Sequence, residues 1–254
     1  MHALAPRITV SVAALAFTTA CASVYDVAIE TSARPTMDVS AFQRVLVPGF
    51  IAGGIDGIEA DVETTRLLRS QLRSRTSLRV IDADPISLID VAAPEPAGER
   101  SGPADDGSSS RPKDDKELGR YRHVFSQPAF WKRIGEEYQD PLIVTGTVLL
   151  RRESRNGYEQ NERELFDATG RRAVSQTREW VERTVYDLHA TFCFIDGRTG
   201  QIIRTDHYQQ ALSFTSERQI PALSAYFELM DRVVPDVLRT VSVQQVRGWR
   251  VLLK

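Results

Sequence analysis

The sequence predicts an α/β (α+β) domain: a single mixed β-sheet with flanking helices and an extended hairpin, set behind an export signal. Three features carry this expectation. Strand, helix and strand patterns follow one another between Arg44 and Ile81. Residues 142–150 (LIVTGTVLL) are apolar at both alternations, as a strand covered on both faces must be. Residues 186–210 alternate as a hairpin about a turn at 196–200, and a long amphipathic run closes the chain.

Residues 1–20 read as a signal peptide. Arg7 is the basic side chain behind the amino group, a largely apolar run covers 8–17, and Thr18, Thr19 and Ala20 precede Cys21. The run is too short for a membrane span, which needs about 20 apolar residues. Residues 21–41 read as a tether that becomes partly ordered, and 42–254 as one domain. Residues 44–50 (RVLVPGF) form a first strand, followed by a glycine-rich loop with Gly49, Gly53, Gly54 and Gly57. Residues 60–76 form a helix with Val62, Leu68 and Leu72 on one face, Leu67 at its margin, and Arg66, Arg69 and Arg73 on a solvated face. Its first turn is acidic and its last turn basic, which suits the helix dipole. Residues 78–81 form a second strand, ended by Asp82, Asp84 and Pro85.

Residues 92–116 break the pattern. They hold four prolines, three glycines and a serine run, and cannot bury enough apolar surface to offset their ordering entropy. They read as a disordered insertion within the domain, with a boundary between two domains as the alternative. A helix follows at 126–138, carrying Phe130, Trp131 and Ile134, and then the central strand at 142–150. Gly146 inside it marks a bulge or a close backbone approach. The charged segment 151–183 is expected as an exposed hairpin or long loop. Its Trp180 and Phe166 either face outward or fold back on the sheet. Beyond it, Tyr186, Leu188, Ala190, Phe192 and Phe194 share one face. Ile220, Leu223, Phe227, Met230, Val234, Val237 and Val241 recur as one apolar helix face, with Pro235 placed to kink the helix or start a second one. A last strand is expected at 246–253.

Composition bounds the function. The formal charge is -2 over the whole chain and becomes more negative by one when Arg7 leaves with the signal. No basic footprint of a nucleic-acid binder is present. The two cysteines, Cys21 and Cys193, exclude a disulfide scaffold if the first carries lipid. Cys193 then reads as a small buried hydrophobe.

The stretch ending at Cys21 resembles a lipobox, with Ala20 at the cut and Cys21 as the acylated first residue of the mature chain; Leu is usual where Thr18 stands. An ordinary cleaved signal beside a chance cysteine is the alternative. Ala22 is not the aspartate that would imply inner-membrane retention, so the resemblance implies the outer membrane. The order of elements also resembles the periplasmic module of the curli-secretion lipoprotein CsgG, the penicillin-binding-protein activator LpoB and the amino-terminal domain of TolB. The resembling residues are FQRVLVPGF at 42–50, LRVIDAD at 78–84, LIVTGTVL at 142–149 and FCFIDGRTGQII at 192–203. A curli-type channel subunit adds two amphipathic hairpins that build a barrel. Here 151–183 is rich in arginine and glutamate, and 205–219 is short, so the resemblance implies a module without a pore.

Catalytic chemistry finds little support. Gly49 to Gly54 has the spacing of a phosphate loop, but Ile55 and Asp56 stand where lysine and serine or threonine are needed. Asp187, His189 and Cys193 lie on one side of one strand. His189 and Cys193 are nonetheless about 13 Å apart at the strand rise, whereas a nucleophile and its base must meet within about 3 Å. His123, His189 and His207 are scattered without metal-ligand spacing. The expectation is an envelope lipoprotein acting as a protein-interaction module, lipidated at Cys21, with no catalytic, cofactor or metal site and no nucleic acid bound. Its protein partner is unidentified, and self-association as a homo-oligomer, in an export assembly, is one alternative. An enzyme whose site is assembled from distant residues is the other.

Overall fold

The computed structural model describes residues 24–92, 111–166, 170, 172–215 and 220–253. The elements in chain order begin with β1 (Val24–Ala33), β2 (Arg44–Leu46), β3 (Phe50–Gly54), α1 (Ala60–Arg75), β4 (Arg79–Ile81), α2 (Leu88–Ala92) and α3 (Asp115–Gly119). A 3-10 turn (Arg122–Ser126) and α4 (Pro128–Glu137) lead into β5 (Leu142–Phe166), β6 (Arg172–Asp196) and β7 (Ile202–Thr215). The chain ends with α5 (Ala222–Val241) and β8 (Gln244–Leu253). It divides into two units. One, from Arg34 to Gln244, holds the larger sheet; the other contains β1 and β8, which pair with each other as a two-stranded sheet.

In the larger unit the strand order is β4-β2-β5-β6-β7, with β3 also paired to β5. The β2–β4, β2–β5 and β3–β5 pairs are parallel, while β5–β6 and β6–β7 are antiparallel. The sheet is therefore mixed, and the α+β class follows. Helices cover both faces. On one, α1 and α5 close over Val45, Val47, Val144, Val148, Tyr186, Leu188, Phe192 and Phe194. On the other, α2, α3, the 3-10 turn and α4 close over Leu46, Ile51, Ile143, Leu149, Cys193 and Ile195. Burial on both faces is why β5 begins as an unbroken apolar run.

The glycine-rich loop expected after the first strand is itself a strand. Pro48 has no N–H to give to a ladder, so the chain breaks between β2 and β3 and resumes pairing at Phe50. The three carbonyls at the break are all taken: Arg69 donates to Val47 (2.7 Å), the Ile86 N–H to Pro48 (2.7 Å) and the Thr145 hydroxyl to Gly49 (2.8 Å). This accounts for buried backbone that would otherwise lose its water. Gly54 has φ +105°, and a Cβ there would overlap the Leu150 carbonyl. Gly146 is a close backbone approach: a Cβ would overlap the Thr191 carbonyl on β6.

Helix α1 buries Ala60, Thr64, Thr65, Leu68 and Leu72, while Val62 is only partly covered. Its arginines are more engaged than a solvated face implies. Arg69 caps Val47, and Arg73 holds Asp82 at 2.7 Å. Helix α5 is one continuous element through Pro235. The carbonyl left without a donor belongs to Asp231, four residues earlier on the exposed side with Pro235, where water can serve it. Of the expected face Met230, Val234, Val237 and Val241 are buried, while Leu223 is 44% exposed and Tyr226, Leu229, Val233 and Leu238 add to the buried stripe. The helix packs on both the sheet and α1, which widens its apolar stripe. The Tyr226 hydroxyl meets Thr64 on α1 at 2.7 Å, and burial pushes its phenol well above the ordinary range, more than that hydrogen bond lowers it.

Residues 24–33 of the expected tether are strand β1. Farther along, Met37 joins the core and the Thr36 and Met37 N–H groups take the carbonyls of Arg239 and Thr240 at the end of α5. Of the expected insertion 92–116, residues 93–110 lie outside the described residues. Its two ends are packed: Ala92 is buried, the Pro112 carbonyl accepts from the Gly54 N–H at 2.9 Å, and α3 starts at Asp115.

Candidate functional site

Cys21 and the expected signal peptide, residues 1–20, lie outside the described residues; strand β1 begins at Val24. The remaining candidate is the charged segment 151–183, which is neither loop nor core. Strands β5 and β6 stay in register from Leu142↔Asp196 to Phe166↔Arg172. Pairing of β3 with β5 ends at Leu150, and pairing of β7 with β6 ends at Arg183. Among the described residues, 151–166 and 172–182 therefore form a two-stranded arm. At the usual strand rise it is about 50 Å long.

Cross-strand partners share a face, so the register sorts the arm's side chains. One face carries the pairs Tyr158↔Trp180, Gln160↔Arg178, Glu162↔Gln176, Glu164↔Val174 and Phe166↔Arg172. Tyr158 and Trp180 meet edge to face, with centroids 4.8 Å apart, and the Arg178 guanidinium lies 5.7 Å from the Tyr158 ring. A side-chain ladder follows, with Gln160 donating to Gln176 and Gln176 to Glu162, both at 2.9 Å. Trp180 is 57% exposed and Phe166 70%, so these rings face outward and do not fold back on the sheet.

The other face is charged. Arg155 stands opposite Arg183, and Glu159 opposite Glu179. Like charges in these positions repel. They are relieved along the strands and diagonally, by Arg155 with Glu153 (2.9 Å) and Arg183 with Glu159 (2.6 Å).

At the root of the arm five side chains converge. Arg151 and Asp187 are cross-strand partners joined at 2.8 Å, and Asp187 also lies 3.0 Å from His189 Nε2. Asp115, at the start of α3, reaches His189 Nδ1 at 3.1 Å, and Gln209 on β7 donates to Asp187 at 3.5 Å. Burial pushes the Asp187 carboxyl up, but the hydrogen bond from Arg151 and the contacts with His189 outweigh it and hold it below its ordinary value. With Nδ1–H donated to Asp115, the neutral ring can accept from Arg151 at Nε2 (3.1 Å); a protonated ring donates to both carboxylates. Arg151 Nε is buried without a hydrogen-bond partner among the described residues. The two carboxylates lie at opposite ring nitrogens, so three donors do not converge as metal ligands would, and no group of three or more His, Cys, Asp and Glu side chains placed to hold a metal ion occurs among the described residues. The arrangement works as an ion-pair clamp joining the arm, the sheet and α3.

Of the residues singled out on β6, Asp187 and His189 meet, and Cys193 does not join them. Cys193 is buried among Leu46, Trp131 and Ile195, with its thiol pushed up by burial more than Thr205 or Arg122 lowers it. His123 and His207 contact the Arg120 carbonyl and Thr191 respectively. Of the spaced glycines, Gly49 precedes β3 and Gly54 ends it, and the strand between them pairs along β5. Arg151, Asp115 and Gln209 were not legible as site residues. The opposite charges of Arg151 and Asp187 become a signal only once the register that sets them opposite is known.

No protein-family model and no curated protein matches the chain. Among solved structures it is similar to a neuraminyllactose-binding hemagglutinin homolog from Helicobacter pylori, at 11% identity and a TM-score of 0.40, over 82% of this chain and 89% of that one. It is also similar to lipoprotein GNA1162 from Neisseria meningitidis, at 9% identity and a TM-score of 0.32, over 77% of this chain and 97% of that one. Likenesses this low do not fix a family, and the α+β class rests on the topology of the chain itself.

Proposed function

We propose that this chain is a cell-envelope lipoprotein, anchored at the outer membrane through lipid on Cys21 and facing the periplasm, and that it is a non-enzymatic protein-interaction module. The observation that carries the interaction reading is the arm. It presents Trp180, Tyr158 and Arg178 together on one exposed face, and these are the residue types that dominate binding hot spots. No helix among the described residues is long and apolar enough to cross a membrane, so the anchor at Cys21 supplies the attachment in this reading. The test is to replace residues 153–176 with a tight turn, which removes most of the arm and no core residue. The expected variant folds, keeps its melting temperature within a few degrees and loses capture of its periplasmic partner in a crosslinking pull-down. A folded variant with undiminished capture would refute the arm as the contact.

The second reading is a subunit of an oligomeric export assembly of the CsgG type. It is favoured by the open outer edges of the arm's strands, since unpaired edges invite another strand. Crosslinking separates the two readings: one stoichiometric partner supports the module, and closed rings of this chain support the assembly.

A further inference from the structure

The two-stranded sheet of β1 and β8 lies outside everything assigned so far. Of its described side chains, residues 26–33 and 247–250, none is buried. Trp249 is 73% exposed and Val27 39%. The ion pair between Arg247 and Glu30, at 2.6 Å, is largely exposed and such pairs add little. Two strands on their own are marginal in water, and Trp249 is the most exposed large apolar side chain among the described residues.

We propose that this ribbon seats on the bilayer, with Trp249 in the headgroup layer. The inference rests on the reading of Cys21 as the lipid-bearing residue. Val24 begins β1 three residues after Cys21, and a fully extended chain of that length spans about 11 Å. The polar layer on each side of a bilayer is roughly 5–8 Å thick. The tether therefore keeps the start of the ribbon within or just above the headgroups, at a high effective concentration. Tryptophan favours that layer because its ring is apolar and its N–H polar. Arg247 and Arg250 flank Trp249 and are balanced by Asp26 and Glu30. Seating is therefore led by the indole and does not require anionic lipid.

The experiment couples the chain from Cys21 onward, through the Cys21 thiol, to a maleimide-bearing lipid in phosphatidylethanolamine vesicles with and without phosphatidylglycerol. Cys193 is buried, so coupling occurs at Cys21. Quenching of tryptophan emission by lipids brominated near the headgroup is then read. The expected result is quenching in the parent chain and in W180F, with at least half of it lost in W249F, in both vesicle types. Equal quenching in W249F and the parent, or unchanged access of aqueous iodide to Trp249 after coupling, would overturn the proposal; the latter would mean a ribbon facing water or a protein. Coupling stands in for acylation, so these outcomes do not depend on lipidation in cells. Failed palmitate labelling would overturn the anchor alone.

Discussion

Replacing Asp187 by alanine removes the acceptor at the centre of the clamp, and the consequence can be worked from its surroundings. The Asp187 side chain is 10% exposed and takes hydrogen bonds from Arg151 at 2.8 Å and from Gln209 at 3.5 Å, with His189 Nε2 at 3.0 Å. A hydrogen bond to a charged group contributes about 1.5–3 kcal/mol net. Arg151 and His189 share one oxygen, and Arg151 keeps Asp115 at 4.0 Å and about a third of its solvent contact, so the contributions do not add in full. The expected loss for Asp187→Ala at pH 7 is about 2–3 kcal/mol. For a unit of this size that lowers Tm by roughly 5–10 °C. Asp187→Asn keeps the shape and a neutral acceptor and should lose about half as much. The pH dependence has a definite sign. A carboxyl held below its ordinary value of 3.8 contributes stability that is present above that pH and is lost as pH falls through the lower folded value. Denaturant unfolding of the parent and Asp187→Asn between pH 7 and pH 3 is the assay, and the gap should hold above about pH 4 and narrow as pH falls below it. Equal stability at pH 7, or a gap that persists unchanged to pH 3, would refute the clamp.

Three further outcomes are expected. Cys21→Ser should abolish both labelling by a clickable palmitate and membrane fractionation, and a variant that stays labelled and bound would end the lipoprotein reading. From its composition, the 93–110 stretch should be the first site of limited proteolysis; a short Gly/Ser linker in its place should change Tm little, whereas a replacement reaching Leu118 removes the Pro112 and Leu118 contacts and should cost several degrees. Gly146→Ala drives a Cβ into the Thr191 carbonyl on the neighbouring strand, so it should destabilise by about 3 kcal/mol, measured by chemical denaturation. A neutral result would mean that β5 and β6 are not in that register.

The elements legible in the sequence are those that bury one kind of face. The run at 142–150, the alternation at 186–195 and the helix at 60–75 are dictated by apolar periodicity. Strand β3 was hidden because Gly53 and Gly54 look like a loop, and only the approach of the Leu150 carbonyl explains a glycine at 54. The full width of the α5 face was hidden because seven apolar positions at steps of three and four describe one stripe, and Tyr226, Leu229 and Val233 extend it with α1 as a second neighbour. Among the described side chains of the arm none is buried, so alternation could suggest strands but could not fix which residues lie opposite. The clamp suffered doubly: Arg151 and Asp187 are 36 positions apart, and Asp115 follows a stretch that composition alone reads as unstructured.

Both strands of the arm are direct continuations of strands at the middle of the sheet, with one unbroken register over 25 residues each. This makes the arm a lever without a joint. A load applied near Tyr158 or Phe166 cannot be absorbed by a flexible linker; it arrives at Arg151 and Asp187 as torque on the central ladder. A pull along the arm loads that ladder in shear, across many hydrogen bonds at once, and meets high resistance. A sideways push concentrates on the last bonds beside Leu150 and Arg183, where β3 and β7 stop, and the clamp sits at the fulcrum between them.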